Sequence, residues 1–144
     1  MKKNVLILCT GNSCRSQMAE GVLRHYGHKL YNVYSAGSKP SRVNPIGIQV
    51  MNEISIDISN QRSKHWDEFK NIPMDYVITV CGKADQACPV FPGNAKRLHW
   101  GFDDPPHEAE VSPAVLDAFR NVRDAIHTKF KRAALNGIDA ADNP

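Results

Sequence analysis

The feature that most constrains the fold is the short polar loop at residues 9–16, CTGNSCRS, which directly follows the apolar residues 5–8. An uninterrupted apolar run of this length predicts a strand that is buried on both faces. After the loop, Met18, Val22, Leu23 and Tyr26 recur at helical spacing, and Gly27 ends the pattern. A buried strand that passes through a polar loop into a helix indicates an α/β fold.

The rest of the chain repeats this alternation of apolar runs and amphipathic segments. We predict a parallel four-stranded sheet flanked by helices on both faces, in one domain of residues 1–144. The tail at 138–144 is small and polar, and we expect it to be frayed. The predicted strands are residues 4–8, 31–36, 75–81 and 97–100. The predicted helices are residues 16–26, a segment that begins after Asn44, and residues 113–136.

Composition narrows the functional classes. The net charge of +3 is small and its lysines and arginines are scattered, which argues against nucleic-acid and membrane-surface partners. The longest apolar stretches are too short to span a membrane, and the N-terminus lacks a signal-peptide pattern. We therefore expect a cytoplasmic protein. In that compartment, its four cysteines are reactive, metal-binding or packed thiols rather than structural disulfides.

The loop has the chemistry of an oxyanion cradle built around a cysteine. Its backbone N–H groups and the following helix terminus favour negative charge, and Arg15 can bind two oxygens of a tetrahedral anion. Cys9 is the candidate nucleophile, and we expect its pKa to fall below about 8.5 beside these groups. The role of Cys14 stays open, because its spacing directs it away from Cys9. The predicted substrate-binding residues are Thr10, Gly11, Asn12, Ser13, Cys14, Arg15 and Ser16.

On these and further residues, the sequence resembles the low-molecular-weight protein tyrosine phosphatase superfamily, and within it the thioredoxin-coupled arsenate reductase branch. The resemblance extends over nearly the whole chain. It rests on CTGNSCRSQMAEG at 9–21, NVYSAG at 32–37, VNP at 43–45, IDISN at 56–60, Cys81 with Cys88-Pro89, and HWGFDDP at 99–105.

The resemblance implies a relay of three thiols. Cys9 is expected to attack arsenate while Asp104 acts as general acid for the departing hydroxide. Cys81 then attacks Cys9 and releases arsenite, and Cys88 attacks Cys81. The resulting Cys81–Cys88 disulfide is expected to be reduced by thioredoxin. A helical segment between these cysteines would have to refold before that disulfide could form.

Two other functions remain open at this stage. A tyrosine phosphatase would use the same cradle, but Pro106-His107-Glu108 follows Asp104 here in place of the tyrosine pair typical of those enzymes. A non-catalytic redox or zinc-binding module would use the cysteines alone. Six residues separate Cys81 from Cys88, whereas zinc-binding pairs usually have two to four intervening residues.

The resemblance also concerns a cation behind the loop. Asn12, Glu20 and Ser35 match positions that help hold potassium in some reductases of this branch. Where an acidic partner is expected, this chain has Lys64, whose ammonium could replace the ion. We therefore predict no bound metal and no cofactor.

Overall fold

A computed structural model describes residues 1–107 and 110–142. All pairings in its four-stranded sheet are parallel, and the strand order is β2-β1-β3-β4. The strands are β1 (Lys3–Cys9), β2 (Tyr31–Gly37), β3 (Tyr76–Thr79) and β4 (Lys96–His99). The helices are α1 (Arg15–Gly27), α2 (Pro45–Asn52), α3 (Gly82–Ala87), α4 (Pro113–Asn136) and α5 (Ile138–Asp142), with a 3₁₀ turn at Trp66–Phe69.

Strand β1 lies at the centre of the core. Val5, Leu6, Ile7 and Leu8 are all fully buried. Successive side chains of a strand point to opposite faces, so both faces of the sheet are covered along β1. The predicted α/β fold with a four-stranded parallel sheet is therefore confirmed.

The helix boundaries follow from local chemistry. The Asn44 side chain accepts hydrogen bonds from the N–H groups of Ile46 and Gly47, and Pro45 opens α2. Ser112 caps α4 in the same way through the N–H of Val115. Gly137 ends α4 at a φ of 93°, a conformation that glycine adopts without strain.

The C-terminal segment differs from the prediction of a frayed tail. Residues 138–142 form α5, in which Ile138 and Ala141 are buried. Trp100 Nε1 donates to Asp142 Oδ1 at 2.8 Å, and Tyr76 donates to Asp139. The prediction was wrong because two apolar residues in a small, polar stretch are enough to anchor one helical turn. Residues 143–144 lie outside the described part of the chain.

The topology brings three chain segments to one edge of the sheet. Cys9 ends β1, Cys81 follows β3, and the loop that contains Asp104 follows β4. In a parallel sheet these carboxyl ends lie at the same edge, where ligands of such folds bind. Among the residues described, no helix is long and apolar enough to cross a membrane.

Candidate active site

The loop of residues 9–16, called the anion loop below, turns its carbonyl oxygens toward the segment after β2. The donor–acceptor pairs are Lys39 N to Thr10 O at 2.9 Å, Ser41 N to Gly11 O at 3.1 Å and Asn44 N to Ser13 O at 2.9 Å. In a planar trans peptide the N–H points opposite to the carbonyl. The N–H groups that follow these carbonyls therefore face the other side of the loop, as an anion cradle requires.

A cleft of about 830 Å³ opens over this loop. Of the predicted site residues, it is lined by Cys9, Thr10, Gly11, Ser13, Arg15 and Asp104. The structure therefore brings the candidate nucleophile, arginine and acid to one cavity.

Arg15 is held between the anion loop and the loop after β4. Its Nη1 donates to Phe102 O at 3.1 Å, and its Nη2 lies 3.5 Å from Asp104 Oδ1. Its Nε is buried and has no hydrogen-bond partner within the described residues. A buried guanidinium N–H without a partner is costly, and an oxyanion in the cleft would satisfy it.

Three of the predicted substrate-binding side chains lie behind the loop instead of in the cleft. Asn12, Cys14 and Ser16 are almost completely buried. The Asn12 amide donates to Ser16 Oγ at 2.8 Å and to Ser35 Oγ at 2.9 Å, and its Oδ1 accepts from Lys64 N. Asn12 also has a left-handed φ of 45°, so its side chain stabilises the turn of the loop from behind.

The hydrogen bonds of Asn12 continue through Ser35 to a charged pair, Glu20 and Lys64. Lys64 Nζ lies 3.7 Å from Glu20 Oε1 and donates to Arg62 O at 2.7 Å. Glu20 also accepts a hydrogen bond from Ser35. Burial lowers the pKa of Lys64, while Glu20 opposes that shift. The chain thus supplies its own positive charge next to Glu20, and the absence of bound potassium stays a prediction.

Cys9 and Cys81 lie within hydrogen-bond reach of each other although they are far apart in sequence. The hydrogen bond with Cys9 and a second from Thr10, whose Oγ1 is 3.3 Å from Cys81 Sγ, help lower the pKa of Cys81 to about 4. The same thiol pair and burial raise the pKa of Cys9. The pair therefore shares one proton and carries one thiolate in the reduced form.

This result corrects the prediction that the pKa of Cys9 is lowered. Arg15 and a hydrogen bond from Ser16 do lower it, as expected for the cradle. The Cys81 thiolate and burial outweigh them, because a neighbouring negative charge and desolvation both disfavour a second thiolate. Sequence spacing could not show this, since the effect depends on the contact between the two thiols.

The other two cysteines have different surroundings. Burial raises the pKa of Cys14 to about 12, so this thiol stays protonated at neutral pH. Cys88 is half-buried at the C-terminal end of α3, and burial raises its pKa, while Arg97 opposes this shift. All four cysteines are free. Within the described residues, no group of three or more His, Cys, Asp or Glu side chains could hold a metal ion.

Asp104 is the acidic group at the mouth of the cleft. It is more than half exposed, lies beside Arg15 and is hydrogen-bonded to His107 Nε2. This position suits a group that exchanges protons with both the bound anion and water. Glu108, the last residue of the Pro106-His107-Glu108 segment, lies outside the described residues.

The predicted site residues leave out six residues that line the cleft, namely Ser41, Arg42, Asn44, Pro105, Pro106 and His107. Ser41 and Arg42 directly precede the VNP motif at 43–45, and His107 follows Asp104 by three residues. Proximity to known motifs was the signal that could have identified them.

An oxyanion cradle with a cysteine and an arginine, at the carboxyl edge of a parallel sheet, defines a phosphatase-like α/β enzyme. The chain belongs to the family described as low molecular weight phosphotyrosine protein phosphatase, which matches residues 4–140. The predicted superfamily is therefore confirmed.

Within this family, similar proteins carry the name arsenate reductase. One from Shouchella clausii is 46% identical over 138 residues, which cover 94% of this chain and 98% of that protein. A solved arsenate reductase in the phosphate binding state has a TM-score of 0.74 and 33% identity, covering 94% of this chain and 98% of that one. A thioredoxin-dependent arsenate reductase from Corynebacterium glutamicum has a TM-score of 0.63 and 28% identity, covering 94% of this chain and 63% of that one.

Proposed function

We propose that this chain is an arsenate reductase in which Cys9, Cys81 and Cys88 form a thiol relay that thioredoxin regenerates. The single observation that carries the relay is that Cys81 Sγ lies 3.3 Å from Oγ1 of Thr10, the neighbour of Cys9 in the cleft. The enzyme class is confirmed by relatives of that name at about 46% identity over 94% of the chain. The relay and the individual residue roles are our proposal.

The first step is attack on arsenate in the anion loop. The hydrogen bond between the two thiols gives the Cys9 proton an acceptor, so Cys9 attacks arsenic as the thiolate while Cys81 carries the proton. Arg15 and the loop N–H groups hold the arsenate oxygens. One oxygen leaves as hydroxide and takes a proton from Asp104, which forms water.

The second step reduces arsenic. Cys81 attacks Cys9 Sγ, the sulfur–arsenic bond breaks, and its electron pair stays on arsenic, which passes from As(V) to As(III). The proton of Cys81 leaves with arsenite, and a Cys9–Cys81 disulfide remains. This step needs no large movement, because Cys81 Sγ already lies beside Thr10, which follows Cys9 in the anion loop.

The third step carries the disulfide away from the cleft. Cys88 loses its proton to water and attacks Cys81 as the thiolate, and Cys9 leaves as a thiolate with the electron pair of the broken Cys9–Cys81 bond. The Cys81–Cys88 disulfide is then reduced by two electrons from a thioredoxin, whose own dithiol becomes a disulfide. Val90, which is exposed and close to Cys88, leaves apolar surface beside the thiol that thioredoxin must reach.

Four free cysteines and a thioredoxin reductant fit a reducing compartment, so we propose a cytoplasmic location. We propose arsenate and thioredoxin as its partners, and neither nucleic acid nor membrane. Hydrolysis of aryl phosphates is a second candidate activity, since Cys9, Arg15 and Asp104 line one cleft and that reaction needs no second thiol.

A paired assay on the parent and on Cys88→Ser tests the relay. Arsenate-dependent NADPH oxidation is measured with thioredoxin and thioredoxin reductase, and p-nitrophenyl phosphate hydrolysis is measured on the same preparations. We expect Cys88→Ser to abolish multiple turnovers, to release one arsenite per chain and to keep its phosphatase activity. Loss of both activities, or full retention of both, would contradict the relay.

A further inference from the structure

The last two thiols of the relay, Cys81 and Cys88, lie at opposite ends of α3. Cys81 immediately precedes this helix, and Cys88 immediately follows it. From Cys81 to Cys88 there are seven residue steps, which at the helical rise separate their Cα atoms by about 10.5 Å, whereas a disulfide requires about 4.4 to 6.8 Å. Under the proposed function, on which this inference rests, α3 must therefore unwind before Cys88 can reach Cys81.

Helix α3 is weakly held. Its six residues are far fewer than the 12 to 15 or so that make an isolated helix marginally stable in water. Ala84 is its only buried residue, and the other five are exposed to solvent. Individual tertiary contacts therefore decide whether α3 stays wound.

One such contact is a hydrogen-bonded chain through Thr79, which is buried at the end of β3. Thr79 Oγ1 lies 3.1 Å from Asp85 Oδ1 on α3 and 2.8 Å from His99 Nδ1 at the end of β4. A longer contact of 3.4 Å reaches Leu98 O. Thr79, Asp85 and His99 are called the α3 latch below.

The chemistry of the three groups determines the direction of the chain. A carboxylate only accepts hydrogen bonds, and a hydroxyl has a single proton to donate. Thr79 therefore donates to Asp85, and His99 donates to Thr79 through Nδ1–H. The bond to the Asp85 carboxylate is charge-assisted, which makes it stronger than a bond between neutral groups.

We propose that Thr79 is a positioning residue that sets the rate at which Cys88 reaches Cys81. Through Asp85, the α3 latch holds the helix wound while Cys9 and Cys81 complete arsenite release. It must break before the Cys88 thiolate attacks Cys81 Sγ and Cys9 leaves with the bonding electron pair. The chain thus delays the last thiol exchange until arsenic has left the cleft.

The test is a single turnover with reduced full-length protein, excess arsenate and no external reductant. Samples are quenched in acid and alkylated, and peptide mass spectrometry follows conversion of the Cys9–Cys81 disulfide into the Cys81–Cys88 disulfide. We expect Thr79→Val to accelerate this conversion about three- to tenfold, because it removes a hydrogen bond to a charged group from the wound state only. Hydrolysis of p-nitrophenyl phosphate should be unchanged.

Three further variants separate positioning from general destabilisation. Thr79→Ser keeps the hydroxyl and should restore the parental rate. Asp85→Asn keeps an acceptor without the charge, so it should accelerate the exchange less than Thr79→Val, and its exposed position allows it to fold. Thr128→Val makes the same change as Thr79→Val at an exposed position of α4 and should have no effect. If conversion of the Cys9–Cys81 disulfide into the Cys81–Cys88 disulfide is unchanged or slower in both Thr79→Val and Asp85→Asn, the proposal is overturned.

Hydrogen exchange of the reduced proteins tests the α3 latch without the relay. Residues 82–87 should exchange faster in Thr79→Val than in the parent or Thr79→Ser. If hydrogen exchange at residues 82–87 is faster in Thr79→Val as expected but the parent forms no Cys81–Cys88 disulfide, the proposed function is wrong and the α3 latch is supported. If the parent forms the disulfide but exchange at 82–87 is the same in all variants, the latch is wrong.

Discussion

At the scale of single residues, Cys9 and Cys81 behave as one titrating unit. Cys9 lowers the pKa of Cys81, with help from Thr10 and Arg15, while Cys81 raises the pKa of Cys9. The pKa of the candidate nucleophile Cys9 therefore depends on a group 72 positions later in the chain as well as on its own loop. Cys14 takes no part in this unit, since burial keeps it protonated.

We predict that Cys9→Ala and Cys81→Ala each shift the formation of the first thiolate to higher pH by about one unit or more. The pKa of Cys81 is lowered to about 4, so the parent carries a thiolate at pH 6. Either substitution removes the hydrogen bond that the pair shares, which disfavours the charged form. Thiolate absorbance at 240 nm, followed in a pH titration of the reduced proteins, measures the shift.

Cys14→Ala is the matched control for this titration. It should leave the first thiolate unchanged, because the pKa of Cys14 is about 12. If the thiolate titration of Cys81→Ala is the same as that of the parent, the thiolate present at low pH belongs to Cys9 alone. The two thiols then do not share a proton.

At the scale of elements, the end of β2 determines the shape of the anion loop. Gly37 pairs with Cys9 at the last position of the β1–β2 register. A Cβ atom there would lie 2.4 Å from Thr10 O and 2.6 Å from Cys9 O, which is closer than atoms can pack. The loop can therefore approach β2 this closely only because residue 37 is glycine.

Gly37→Ala should lower the free energy of unfolding by about 1 to 3 kcal/mol, because overpacking forces the backbone to shift. The shift moves the anion loop, so p-nitrophenyl phosphate hydrolysis should fall as well. Gly82→Ala is the control, since a Cβ atom there meets nothing within 4 Å. Its stability and hydrolysis should match or exceed those of the parent, and equal behaviour of the two variants would contradict the steric argument.

At the scale of the whole molecule, the C-terminal helix ties together elements that are distant in sequence. Lys96 and Tyr76, at the starts of β4 and β3, both contact Asp139 of α5. Lys129 of α4 donates to Ala141 O at 2.6 Å. Helix α5 thus belongs to the cooperative core of the domain.

Ile138→Ala should therefore destabilise the folded protein by about 2 to 5 kcal/mol, the cost of removing a fully buried aliphatic side chain. Leu135→Ala, at a mostly exposed position two residues before Gly137, should change the free energy of unfolding by less than about 0.5 kcal/mol. Urea unfolding followed by circular dichroism measures both. If the C-terminus were frayed, both substitutions would change the free energy of unfolding by the same small amount.

Much of the fold was predictable because its signals are local. The apolar run of β1, the Asn44 and Ser112 caps and the stop at Gly137 each depend on residues within a few positions of one another. The same holds for the anion loop, whose cysteine and arginine lie within a single turn between strand and helix. Helix α5 was missed because its stability comes from contacts with β3, β4 and α4, which no local pattern reports.

By itself, the sequence determined the family, the parallel α/β fold and the residue types of the candidate active site. The tertiary structure decided how those residues are used. It turned Asn12 behind the loop, placed Cys81 beside Thr10, and coupled the titration of Cys81 to that of Cys9. The physical reason is that pKa values and hydrogen bonds depend on burial and on neighbours separated by 71 residues in the chain, which only folding brings together.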